Sequence, residues 1–133
     1  MAGLDTNVLV RWLVADDDVQ TAQVEALLTA GRSAGQSYFV PSTVLLELEW
    51  VLRSRYRLDK PAMLGAFNAL LEARELDIQA EPALERALHL YRQGRAEFAD
   101  CLHAGLCAAA GQAPLLSFDV EAARLPQVAL IGA

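Results

Sequence analysis

The sequence predicts an α/β fold, with a mainly parallel central sheet of about four to five strands and helices on both faces. Three observations carry the prediction. Short β-prone runs recur along the chain, longer segments with apolar residues at helical spacing separate them, and two strand-to-helix junctions bear an aspartate, Asp5 and Asp119. At 133 residues the chain has the size of one domain (1–133), able to build a single core without disulfide or metal staples. A mostly helical bundle, with the weakest strands as loops, is the alternative architecture.

The first strand is very short and ends on Asp5, after which Val8, Leu9, Leu13 and Val14 recur at helical spacing. Asp16-Asp17-Asp18 reads as a solvated turn whose last acid caps a second helix over residues 19–30, stopped between Gly31 and Gly35. Tyr38-Phe39-Val40, bounded by Ser37 and Pro41, is the second strand. Ser42 then caps a third helix over residues 43–55, and Leu58-Asp59-Lys60-Pro61 leads into a fourth carrying Met63, Leu64, Phe67, Leu70 and Leu71. Leu76-Asp77-Ile78-Gln79 alternates like a half-buried strand, and Pro82 opens a fifth helix through Leu84, Ala87, Leu88 and Tyr91. Residues 98–110 leave almost no polar face, which predicts a helix buried all round and ended by Gly111. Pro114-Leu115-Leu116-Ser117-Phe118 reads as a strand buried on both faces; Asp119 starts a short helix, and residues 128–131 form the last strand.

The formal net charge of −6 speaks against a surface that binds polyanions as a whole. Acids clustered to hold divalent cations are the exception, because bound ions reverse the field that a phosphate feels. Cys101 and Cys107, six apart on one helix, have neither zinc-site nor disulfide-framework spacing and read as buried reduced thiols. No apolar run reaches the roughly 18 to 20 residues of a spanning helix and no leader pattern opens the chain, so the expectation is a cytoplasmic protein without a membrane partner. No glycine-rich phosphate loop follows a strand, and Cys101 and His103 face different ways on one helix, which disfavours nucleotide-loop and Cys–His chemistry. His89 belongs with Glu85 and Arg92 on a polar helix side. Arg53, Arg55 and Arg57 are the best basic cluster, although solvated helix-end charge accounts for them.

Four carboxylates stand apart. Asp5 and Asp119 sit where a strand gives way to a helix, the carboxyl edge at which open α/β sheets place their chemistry, and either acid also suits a helix cap. Glu47 falls on the stripe of Val44, Leu48, Val51 and Leu52, which predicts an inward carboxylate, with Glu49 on roughly the other side; a buried Arg partner would also explain such a group. Asp100, one turn from Glu97, lies on the almost wholly apolar sixth helix, where a helix-dipole role explains Glu97 better than Asp100. If parallel pairing brings these junctions and helix starts to one edge, the acids converge. Acids sharing a pocket need a cation, and oxygen ligands without His or Cys suit Mg²⁺ or Mn²⁺.

Leu4-Asp5-Thr6-Asn7-Val8-Leu9, Glu47 within Val44-Leu45-Leu46-Glu47-Leu48, Phe98-Ala99-Asp100-Cys101-Leu102-His103-Ala104 and Ser117-Phe118-Asp119 together resemble the PIN-domain family, specifically VapC-type toxin ribonucleases. The resemblance implies a PIN-like three-layer α/β domain and a metal-dependent endoribonuclease. Asp5, Glu47, Asp100 and Asp119 correspond to its acidic ligands for Mg²⁺ or Mn²⁺, which activates water against an RNA phosphodiester. Asn7 corresponds to a supporting polar residue, Thr6 and Ser117 to small hydroxyl positions, and Glu97 to a position where many relatives carry Asp. With Glu121 following Asp119 where some relatives have a further Asp, one-metal and two-metal sites both stay open. The resemblance also implies a homodimer, a VapB-type antitoxin whose tail covers the site, and structured RNA such as tRNA among the targets. Two other readings share these residues: a catalytically inactive PIN-fold interaction module, and another metal-dependent phosphoesterase. An aspartyl-nucleophile phosphatase would want a second acid two residues after Asp5, where Asn7 stands.

Overall fold

A computed structural model describes residues 2–132, which form two compact units divided after Gln79. The first unit contains α1 (Thr6–Val14), α2 (Asp18–Ser33), β1 (Tyr38–Val40), α3 (Ser42–Ser54), α4 (Lys60–Glu72) and β2 (Leu76–Ile78). The second contains α5 (Glu81–Gln93), α6 (Phe98–Ala109), β3 (Leu115–Ser117), a 3₁₀ turn (Ala122–Arg124) and β4 (Val128–Leu130). The α/β class and the parallel pairing follow the sequence prediction.

Each unit owns one two-stranded parallel sheet, β1 with β2 and β3 with β4, so the ladders among the described residues are shorter than the expected sheet of four to five strands. The cause is local. The first predicted strand pairs only at Gly3 with Phe39, because Asp5 at once caps α1 and turns the chain into a helix. The Leu4 N–H donates to the Phe39 carbonyl and the Phe39 N–H to the Ala2 carbonyl, both at 2.9 Å, which fixes Asp5 just past the carboxyl side of β1.

Aspartates start three helices of the first unit. Asp5, Asp17 and Asp59 accept from the N–H groups of Thr6, Gln20 and Ala62, satisfying donors that a helix start leaves free. The second helix is thus capped by Asp17, not Asp18; Asp16 instead receives the Tyr56 hydroxyl at 2.8 Å and the Arg11 guanidinium at 2.7 Å. Both partners hold its carboxyl below the usual range, Tyr56 more than Arg11. Ser42 is inside α3 rather than before it, and its N–H donates to the Gln79 side chain at 2.9 Å.

In the second unit α5 and α6 pack closely enough that a Cβ at Gly105 would lie 2.7 Å from the Ala83 carbonyl oxygen. Tyr91 and Phe98 meet edge to face with centroids 5.9 Å apart. Two burial expectations are corrected here. His103 is exposed and residues 106–108 are only half-buried on α6, whose apolar character comes largely from small Ala and Cys side chains. Leu116 and Phe118 are exposed, so β3 is covered on one side at most; an apolar run records composition, not what packs against it.

Gly105→Ala is expected to destabilise the protein by about 1–3 kcal/mol through overpacking against backbone. Gly65→Ala in α4, where a Cβ meets open space, is expected to stabilise it by about 0.5–1 kcal/mol. Urea unfolding of both variants tests the pair of opposite signs.

Candidate functional site

In the first unit the junction after Gly3 presents Asp5, whose Oδ1 accepts the Thr6 N–H at 2.8 Å. Thr6 is buried and its hydroxyl donates to Glu47 Oε1, so the first turn of α1 is tied to α3 through a threonine. The side chain of Thr6 therefore serves Glu47, and the helix cap is Asp5 itself. Both carboxylates are exposed. Asp5 commits one oxygen to the backbone and Glu47 one to Thr6, which leaves each a second oxygen without a hydrogen bond among the described residues.

Glu47 is not on the buried stripe. The buried face of α3 is Leu45, Leu48, Glu49 and Leu52, rotated by about one residue from the predicted one, and Glu47 shares its flank with half-buried Val44 and Val51. The buried acid is Glu49, and the Arg partner that a buried carboxylate requires is Arg53, one turn on at 2.8 Å. The i,i+4 Glu–Arg spacing was the available signal for that pair. Asn7 makes no hydrogen bond to these acids among the described residues and lines a groove with Val8, Arg11 and Val24.

In the second unit the other acids gather around the start of α6. Glu97 is the N-cap residue, yet its side chain makes no cap bond, and Asp100 lies half-buried in the first turn rather than deep in the helix. Asp119 follows β3, held from both sides. The Ser117 hydroxyl accepts its N–H at 2.9 Å, while its own Oδ1 accepts the N–H groups of Glu121 at 2.8 Å and Ala122 at 3.1 Å. Asp119 therefore caps the 3₁₀ turn as Asp5 caps α1, again with one oxygen.

The Asp100 carboxyl is pushed above its ordinary range, first by burial, then by the negative charges of Asp119 and Glu97, against a smaller opposing effect of His103. Glu97, Asp100 and Asp119 thus form an electrostatic group. The four predicted ligands divide two and two between the units, and among the described residues no set of three or more His, Cys, Asp or Glu is arranged to hold a metal. Chemically the donors are hard oxygens, the kind that suits Mg²⁺ or Mn²⁺.

The sequence matches the PIN domain over residues 3–128. The chain belongs to the PIN-domain family. Its match runs through both units, from the Gly3 bridge to the start of β4. The chain is also 25% identical over 99 residues to a VapC ribonuclease of Aquifex aeolicus (strain VF5), covering 74% of this chain and 73% of the relative. These similarities bear out the PIN-domain, VapC-type resemblance read from the sequence. Among the described residues of this PIN-domain protein, no helix is long and apolar enough to cross a membrane.

Two substitutions separate the acids of α3. Glu49→Ala is expected to lower stability by about 1 kcal/mol, a value discounted because Arg53 is half-exposed, whereas Glu47→Gln leaves it within about 0.5 kcal/mol, as read by chemical denaturation. The raised carboxyl of Asp100 also sets a sign. Its charged form opposes folding at neutral pH, and that opposition fades as pH falls through its folded-state value. In chelator, Asp100→Asn is therefore expected to melt at or above the wild-type temperature at pH 7, with the difference vanishing in acid; a lower melting point at pH 7 contradicts this electrostatic account.

Proposed function

We propose that this PIN-domain chain is a metal-dependent endoribonuclease, a hydrolase of the VapC type that cleaves RNA phosphodiesters. The observation that carries the reading is the PIN-domain match over residues 3–128, which spans the acids at the start of α1 and at the start of α6. The negative charges of Glu97 and Asp119 bear on Asp100, and an exclusively carboxylate donor set fits Mg²⁺ or Mn²⁺. The PIN-domain match and the likeness to a VapC ribonuclease support RNA as the substrate class.

In this reading Asp5 and Glu47 of the first unit and Asp100 and Asp119 of the second are the metal ligands, with Thr6, Asn7, Glu97 and Ser117 as supporting residues. A divalent ion held by these carboxylates would supply the Lewis acidity that lowers the pKa of water and offsets charge on a scissile phosphate. The chain's own residues prepare for that chemistry. Asp5 and Asp119 are each oriented by the backbone N–H groups they cap, which leaves the second oxygen of each carboxylate to act as a metal ligand. Thr6 orients Glu47 by donating to one oxygen, so the other is directed without free rotation of the carboxylate. Glu97 adds negative charge at the start of α6 and strengthens the attraction for a cation.

By the same family logic the protein is a cytoplasmic toxin, works as a homodimer, is inhibited by a VapB-type antitoxin, and takes RNA, with tRNA as a target class. Mn²⁺ is expected to raise the melting temperature of the wild type and to leave Asp5→Asn and Asp100→Asn unmoved; a ligand at about 100 times its Kd contributes about 2.7 kcal/mol. Both variants are expected to fold and to lose RNA cleavage. Undiminished Mn²⁺-dependent cleavage by both overturns the reading, and cleavage of small phosphoesters in place of RNA replaces it with the phosphoesterase alternative.

A further inference from the structure

The overall charge leaves open how an acidic chain would hold an RNA backbone, and the second unit offers a place. A cavity of about 230 Å³ is lined by Gly94, Arg95, Ala96, Glu121, Arg124 and Leu125. Its walls come from the loop between α5 and α6 and from the 3₁₀ turn after β3. These are the two segments that carry the acidic group: Glu97 lies two residues beyond Arg95, and Asp119 holds the Glu121 N–H at 2.8 Å. The lining carries two guanidiniums and one carboxylate, a local excess of one positive charge in a chain of net charge −6.

The guanidiniums are not spent internally. Arg95 makes no hydrogen bond or ion pair among the described residues, and Arg124 meets Glu121 only at 3.7 Å, with its side chain 68% exposed. A second cavity with two arginines, Arg32 and Arg74, precedes β1 and β2 in the first unit. There Arg32 is closed onto Glu75 at 3.0 Å, and the pocket lies at the sheet edge opposite Asp5. The cavity lined by Arg95 and Arg124 has the freer cations, and the candidate-site acids Glu97 and Asp119 are its neighbours in the chain.

We propose that the cavity between Arg95 and Arg124 is a phosphate subsite for single-stranded RNA, gripping a backbone phosphate next to the one that is cleaved. The assignment rests on the endoribonuclease reading and adds the residues that hold substrate. Arg95 and Arg124 act as charge-assisted donors to phosphate oxygens, with Arg124 released from its weak contact to Glu121. Recognition of this kind positions the strand without reading its sequence.

The test is binding of a fluorescein-labelled single-stranded oligouridylate, followed by anisotropy in EDTA between about 50 and 200 mM salt. Arg95→Ala and Arg124→Ala are expected each to weaken binding about tenfold at low salt. Each is also expected to reduce the slope of log K against log salt by about 0.7, the value for one phosphate contact on a single strand. Arg74→Ala, the same charge change in the other cavity, is expected to leave the slope unchanged. Excess inorganic phosphate is expected to compete only weakly, since a strand makes several contacts and a free ion one. If Arg95→Ala and Arg124→Ala bind like wild type while wild type cleaves RNA in Mn²⁺, the subsite is overturned and the nuclease reading stands. An equal loss in Arg74→Ala also overturns it, as an effect of overall charge. A wild type that neither binds nor cleaves RNA overturns both.

Discussion

Free N–H groups at the start of a helical turn must find acceptors, and in this fold the acids of the candidate site supply them. Asp5 meets the first N–H of α1 and Asp119 meets two N–H groups ahead of the 3₁₀ turn, each with Oδ1. Capping and cation binding, which look like rival explanations of an aspartate after a strand, are compatible because a carboxylate has two oxygens. The backbone fixes one and thereby aims the other. Glu97 is the instructive contrast: it occupies a cap position without making a cap bond, so its contribution to the start of α6 is charge alone.

Much of this was legible in the sequence, and the misses share a cause. Helix and strand order follows from apolar spacing and from Asp, Gly and Pro at the boundaries, and the junction acids follow from that order. Azimuth on α3 was harder. Val44, Leu45, Leu48, Val51 and Leu52 allow two overlapping stripes one residue apart, and only tertiary packing selects the one that buries Glu49. The exposure of Leu116 and Phe118 was likewise invisible, since burial belongs to what lies opposite a strand. Thr6 shows a subtler limit: a hydroxyl beside a cap residue suits several acceptors, and the one it takes, Glu47, lies 41 residues away in the chain.

The acids and arginines of the second unit together suggest why an acidic protein need not repel RNA. Salt screens exposed charges beyond roughly a Debye length, about 8–10 Å at physiological salt, so a phosphate feels the charges placed within that distance more than the net charge of the whole chain. Arg95 precedes Glu97 by two residues and Arg124 follows Asp119 by five, which sets cations at the margin of an anionic group that also disfavours its own ionisation at Asp100. In the proposed reading, a divalent ion bound at these carboxylates would change the same stretch of surface from repelling a phosphate to attracting one. Substrate affinity would then be conditional on metal occupancy, and the two arginines would supply the part of it that persists in chelator.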